Sequence, residues 1–267
     1  MKPRKIWIGL AVFEAAVLGA RAQTVVFDFD SGAPALATGQ NAPLDQASDG
    51  ITAHFGVPGG SGNFSVQTDA STGYRFSQFT GHYLVPNGLG PNILDIQFSR
   101  QLTAVSLTFA TADFQQVETP TTVQLTAYEN STGTSPVDAA SAHGIYPAET
   151  AYPGDTMPQG TLSLNTTNKP FNLVEIRIPY QPLGASVFLV DNITVTAPPQ
   201  LAVFLTNNHS IVVSWPAAST GFVLQRNEAL GSTNWVQLTN AASVVEGRNQ
   251  VLEPSMPGNR FYRLFHP

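Results

Sequence analysis

Beyond residue 22 the chain is a succession of short runs in which apolar and polar residues alternate one for one. Val105, Leu107 and Phe109 alternate with Ser106, Thr108 and Ala110, and Val123 and Leu125 alternate with Thr122, Gln124 and Thr126. Leu94, Ile96 and Phe98 do the same with Asp95 and Gln97, as do Val174, Ile176 and Ile178 with Glu175 and Arg177. Successive side chains of a strand point to opposite faces, so each run predicts a strand with one face in a core and one toward water. Runs at 24–29, 51–57, 160–164 and 186–196 bring the expected total to eight or nine strands. No segment after residue 22 keeps a 3.6-residue period over three turns, so helices are not expected. Half-buried strands in this number pack as two facing sheets or close into a barrel, and a jelly-roll β-sandwich is the fold expected for residues 23–197.

Ala197-Pro198-Pro199-Gln200 interrupts the pattern, and residues 198–200 read as a proline-rich linker, since proline holds the chain extended and cannot donate to a ladder. Past it, Leu201–Thr206, Ser210–Trp215, Gly221–Arg226, Trp235–Leu238, Gln250–Glu253 and Arg260–Phe265 read as short strands, with Asn207-Asn208 as a hairpin turn. Residues 201–267 are therefore expected to form a second, smaller sandwich. Trp215 is in register with Ile211 and Val213 and is assigned to its core, as is Trp235.

Before the strands, Met1 to Lys5 is basic, Ile6 to Ala20 is apolar apart from Glu14, and Ala20-Arg21-Ala22 is a small-x-small end. These three parts make residues 1–22 a secretory signal peptide cleaved after Ala22. No second apolar segment follows, so no membrane span is expected after cleavage, and the address is secreted or extracellular surface. The chain has no cysteine, which excludes a disulfide scaffold and cysteine metal sites. Residues 23–197 carry 14 acids against Arg75, Arg100, Lys169 and Arg177, net −10, whereas residues 198–267 are net +1. The asymmetry marks two domains, and an acidic body excludes nucleic acid as a partner.

Two resemblances follow from particular strings. Ser210-Ile211-Val212-Val213-Ser214-Trp215-Pro216, Gly221 to Gln225, Asn234-Trp235 and Arg260 to Leu264 resemble a fibronectin type III-like C-terminal module. Phe27-Asp28-Phe29-Asp30, Gly81-His82-Tyr83-Leu84 and Val190-Asp191-Asn192-Ile193-Thr194-Val195 are similar to exported bacterial jelly-roll domains, carbohydrate-binding-like and akin to the bodies of PEP-CTERM-type surface proteins. That resemblance implies a structural calcium held by Asp30 and Asp191, because the first and last strands of a jelly roll lie together. Calcium takes six to eight oxygen ligands. The alternative is that these aspartates cap turns and face water.

The stretch from Glu129 to Gly160 shows little periodicity and reads as one long loop carrying Asp138, His143, Tyr146, Glu149, Tyr152 and Asp155. Loops of that length are commonly functional. Rings that stack on sugar C–H faces beside carboxylates that accept hydroxyl protons suit a polysaccharide, so Tyr146, Tyr152, Asp138 and Asp155 are the candidate ligand-binding residues. Catalytic motifs are lacking. Gly59-Gly60-Ser61-Gly62-Asn63 departs from a nucleophile elbow at its last position, and the histidines show no HExxH pairing. The expected function is non-catalytic binding of polysaccharide or an envelope or matrix component, with no catalytic residues. The alternatives are a glycan-cleaving enzyme with two carboxylates, or a purely structural surface module.

Overall fold

The computed structural model describes residues 23–58, 64–88, 92–113, 119–146, 157–166, 169–179, 187–206, 210–217 and 221–265. Residues 22–199 and 200–265 form two compact units.

The larger unit is built from two six-stranded antiparallel sheets. One sheet runs β10 (Gln159–Asn165), β7 (Ala104–Thr111), β12 (Phe188–Ala197), β5 (His82–Pro86), β4 (Phe64–Thr68), with β1 (Gln23–Phe27) also paired to β12. The other runs β2 (Leu44–Ser48), β3 (Ile51–Gly56), β6 (Ile93–Leu102), β11 (Phe171–Arg177), β8 (Thr122–Tyr128), β9 (Pro136–His143). The chain passes repeatedly from one sheet to the other, and its first and last strands pair in register from Gln23 opposite Ala197 to Phe27 opposite Ile193. This is a jelly-roll β-sandwich.

The alternating pattern explains the layering. On β6, Leu94, Ile96 and Phe98 are buried while Asp95 and Gln97 stay partly exposed, and β7 up to Phe109 and β8 up to Leu125 follow the same rule. The inner faces meet at Phe27 of the first sheet, whose ring lies 6.4 Å from Phe55 and 6.1 Å from Phe98 of the second. Each aliphatic or aromatic side chain buried this way stabilises by roughly 1.5–3 kcal/mol. The one described helix is α1 (Asp69–Thr72), a single turn capped by Thr68.

A second, smaller apolar cluster covers the outer face of the first sheet. Phe76 and Phe79 of the segment between α1 and β5 pack on Tyr83, Ala110, Met157 and Leu189, with Phe76 and Phe79 rings 4.7 Å apart. Tyr83 and Leu84 are therefore buried on opposite faces, and β5 shows no alternation.

One expectation is corrected. The stretch from Glu129 to Gly160 is not a single loop, because residues 136–143 form β9, an edge strand paired to β8 from His143 opposite Thr122 to Pro136 opposite Tyr128. Val137, Ala140 and Ala142 pack on the main core. Proline at its first position and a largely exposed side-chain set are what an edge strand tolerates.

Residues 200–265 form a four-stranded sheet, β13 (Ala202–Leu205), β14 (Ser210–Pro216), β18 (Arg248–Pro254), β17 (Ser243–Val245), and a three-stranded sheet, β16 (Val236–Gln237), β15 (Val223–Asn227), β19 (Phe261–Phe265). Val213, Trp215, Leu224 and Val251 make the core. Trp235 is corrected: it lies partly exposed outside that core, with the Arg263 guanidinium 4.3 Å from its ring centroid. Among the described residues no helix is long and apolar enough to cross a membrane.

Candidate functional site

β12 is flanked on one side by β7 and on the other by two strands in turn. Its residues 193–197 pair with β1, and Val190 pairs with Leu84 of β5. Asp191 and Asn192 fall at the changeover, where the register to β7 shifts and Asn192 takes a left-handed backbone, φ 52°. Here the coil segment leading into β5 is held through alternate main-chain amides. Gln78 N–H donates to Gln159 Oε1, Thr80 N–H to Asp191 Oδ2, and His82 N–H to Asp30 Oδ1, each at 3.0 Å. Asn192 Nδ2 adds a bond to the Gln78 carbonyl at 3.2 Å.

Asp191 is fully buried, and Asp30 is part-exposed and bonded to His82 Nδ1 at 2.6 Å. Burial pushes the Asp191 carboxyl up to about 7, against the pull of the Thr80 and Asn192 amides and reinforced by the charges of Asp30 and Asp28. Gly81, φ 65°, leaves the space that the Asp30 carboxylate fills, since a Cβ there would fall 2.0 Å from Asp30 Oδ2. Asp28 turns inward on its own loop, accepting from the amides of Asp30 and Ser31, and its carboxyl is held below the usual value. Turn capping thus describes Asp28, whereas Asp191 does not face water.

For a calcium site the donor chemistry is present only in part, since both Asp191 oxygens and Asp30 Oδ1 already accept hydrogen bonds from Thr80, Asn192 and His82. Asp30 and Asp191 supply carboxylate oxygens, and among the described residues no Lys or Arg pairs with Asp191. Among the described residues no three His, Asp or Glu side chains gather round one point. The rest of a calcium shell would come from backbone carbonyls and water.

Beside this junction lies an open cleft of about 380 Å³ lined by Ser77, Gln78, Ile145, Tyr146, Gln159, Gly160 and Thr161. Its two walls are joined by a bridge in which Ile145 and Gln159 exchange main-chain hydrogen bonds at 2.8 and 3.1 Å. Gly144 permits that approach, because a Cβ there would meet the Pro158 backbone at 2.7 Å. The Tyr146 hydroxyl donates to the Asp113 carbonyl at 3.1 Å, which fixes the ring. Among the described residues the lining holds hydroxyl and amide groups, one aromatic ring, one aliphatic side chain and no charged side chain.

The four ligand-binding candidates fare differently. Tyr146 lines the cleft. Asp138 stands exposed on β9, bonds to the amide of its neighbour Ala139, and is not part of that lining. Tyr152 and Asp155 lie outside the described residues, as do residues 1–22, 59–63 and 207–209.

Two features escaped the sequence pattern. Gln159 reads as an ordinary strand-end residue between Pro158 and Gly160, and only the fold brings it to Gln78. Asp95 and Glu175 are cross-strand partners on the outer face of the second sheet. Burial, with the Glu175 charge next to it, raises the Asp95 carboxyl to about 6. The pair stands side by side on one sheet face and does not line the cleft.

No family model matches the chain, and no curated protein matches it. Among solved structures it is similar to the K2 cleaved adhesin domain of Lys-gingipain, with 15% identity, TM-score 0.43, and 65% of this chain covering 99% of that one. It is also similar to a low-affinity xylan-binding module, CBM86, from Roseburia intestinalis, at 14% identity, TM-score 0.27, 66% of this chain and 96% of that one. A third likeness is to the tandem CBM22-1–CBM22-2 domain of Paenibacillus barcinonensis Xyn10C, at 9% identity, TM-score 0.29, 94% of this chain and 92% of that one. At TM-scores below 0.5 these likenesses carry no argument about ligand.

Proposed function

We propose that the chain is an exported, non-catalytic module whose body binds neutral polysaccharide at the Tyr146 cleft. The observation that carries this is the lining itself: an open groove of hydroxyl and amide groups around one ring, with no charged side chain among the described residues. Sugars present apolar C–H faces to a ring and hydroxyls to amides and hydroxyls, and need no ion pair. A net charge of −10 on the body repels polyanionic chains at low salt, so neutral glycans are preferred to polyuronates. Shallow open sites bind weakly, in the micromolar to millimolar range, roughly −8 to −4 kcal/mol.

In this reading Asp30 and Asp191 hold a structural calcium that ties the segment 78–82 to the end of the sandwich. Residues 1–22 are the cleaved signal, and residues 200–265 are a fibronectin type III-like accessory module. Its four- and three-stranded sheets support that assignment. The test is a glycan array probed with the mature chain, alongside a reducing-end assay on every polysaccharide retained. Retention of neutral glycans without new reducing ends supports the proposal. Release of reducing ends that is lost in Asp95→Asn would favour a glycan-cleaving enzyme using the Asp95–Glu175 pair.

A further inference from the structure

We infer that Gln159 is the specificity-determining residue of the cleft, presenting one fixed N–H donor that selects a neutral sugar by an acceptor oxygen. The inference rests on the reading of the cleft as a glycan site and names the group that does the selecting. Gln159 is 2% exposed, at the start of β10, with its backbone locked to Ile145. Its side-chain orientation is set by its surroundings. Oε1 accepts the Gln78 N–H at 3.0 Å, and a flipped carboxamide would set two N–H groups against each other. Nε2 is therefore the end left over. It is buried and has no hydrogen-bond partner among the described residues.

A buried donor without an acceptor is unfavourable, and native proteins leave few of them. Here it belongs to a side chain that lines an open cleft otherwise furnished for hydroxyl-rich ligands. A ligand oxygen that reaches Nε2 would give this donor the acceptor that no described protein group supplies. Ile145 and Gln78, which line the cleft with Gln159, are both exposed. Rotamer changes of exposed side chains take picoseconds to nanoseconds. The oxygen that fits is a hydroxyl, ring or glycosidic oxygen of an uncharged sugar. A carboxylate would be desolvated in a lining that offers no cation among the described residues.

Gln159→Glu separates donor from scaffold, because it keeps an oxygen for the Gln78 amide and removes the N–H. With cellohexaose, xylohexaose and mannohexaose as probes, the oligosaccharide bound by the wild-type chain is expected to lose at least tenfold in affinity on Gln159→Glu. Gln159→Met, which keeps the length without either polar group, is expected to lose at least as much. Nuclear magnetic resonance of the wild-type chain gives a readout independent of variant folding. Titration with the bound hexasaccharide should move one Gln159 side-chain N–H proton downfield, as a new hydrogen bond requires. If the sugar binds and Tyr146→Ala weakens it while Gln159→Glu does not, or the Gln159 amide protons stay unmoved at saturation, this inference fails and the glycan cleft stands. If none of the three sugars binds, both fail together.

Discussion

Asp191 and Gln159 hold the same segment two residues apart: Asp191 accepts the amide of Thr80, and Gln159 accepts the amide of Gln78, each at 3.0 Å. The buried carboxylate and the cleft are thus mechanically joined, although Asp191 does not line the cleft. Asp191→Ala leaves the Thr80 and Asn192 amides without their acceptor, a cost of about 1–3 kcal/mol for each group that stays buried. The expected outcome is a lower melting temperature and weaker glycan binding. Unchanged sugar affinity in a folded Asp191→Ala protein would show that the segment holds its position without this anchor.

Calcium gives the same junction a second test. An ion that binds only the folded state raises the melting temperature by mass action. Adding millimolar calcium to chelator-treated protein should raise the transition of the larger unit, and neither Asp30→Ala nor Asp191→Ala should respond. A wild-type melting curve indifferent to chelator means that the two carboxylates serve only as hydrogen-bond acceptors.

The pH dependence follows from two raised carboxyls. Asp95 sits near 6 and Asp191 near 7 in the folded chain, against an ordinary value of 3.8. The folded state therefore holds these protons more tightly than the unfolded chain does. Their contribution to stability is fully present below about pH 3.8 and is lost as pH rises through 6 and 7. In chelator, the larger unit should melt higher at pH 5 than at pH 8. Asp95→Asn, which removes the like charge beside Glu175, should raise the melting temperature at pH 8 and leave it unchanged near pH 4. Equal stability of wild type and Asp95→Asn at both pH values would show that the pair is not under electrostatic strain.

Alternation made most of the larger unit legible. It is reliable where one face is buried and the other wet, as on β6 from Ile93 to Phe98 and over the first residues of β7 and β8. It fails where that condition fails. Tyr83 and Leu84 on β5 are both buried because Phe76 and Phe79 cover the outer face. Gln46 on β2 is a buried polar residue at an inward position. β9 carries alanines and exposed polar groups, so its strand character comes from pairing with β8 and leaves little trace in composition. The site divides likewise. Tyr146 and the aspartates announced themselves by residue type, whereas the role of Gln159 depends on a main-chain amide 81 positions away.

Trp215 is 5% exposed in the four-residue core of the smaller unit. Truncating a buried aromatic costs about 3–5 kcal/mol. Trp215→Ala should unfold residues 200–265 at ambient temperature while the larger unit keeps its own transition, as two calorimetric peaks reduced to one. A smaller unit that melts unchanged would show that the indole does not support its core.

The most direct measurement of the central claim is calorimetric titration of the mature chain with the neutral oligosaccharide that it retains. Wild type, Tyr146→Phe and Tyr146→Ala are compared. Loss of ring stacking on a sugar is worth roughly 1.4 kcal/mol, a factor of ten. The account predicts a smaller loss for Tyr146→Phe, which keeps the ring but not its bond to Asp113, and at least a tenfold loss for Tyr146→Ala. Wild-type affinity in Tyr146→Ala would contradict it and move the binding surface elsewhere on the chain.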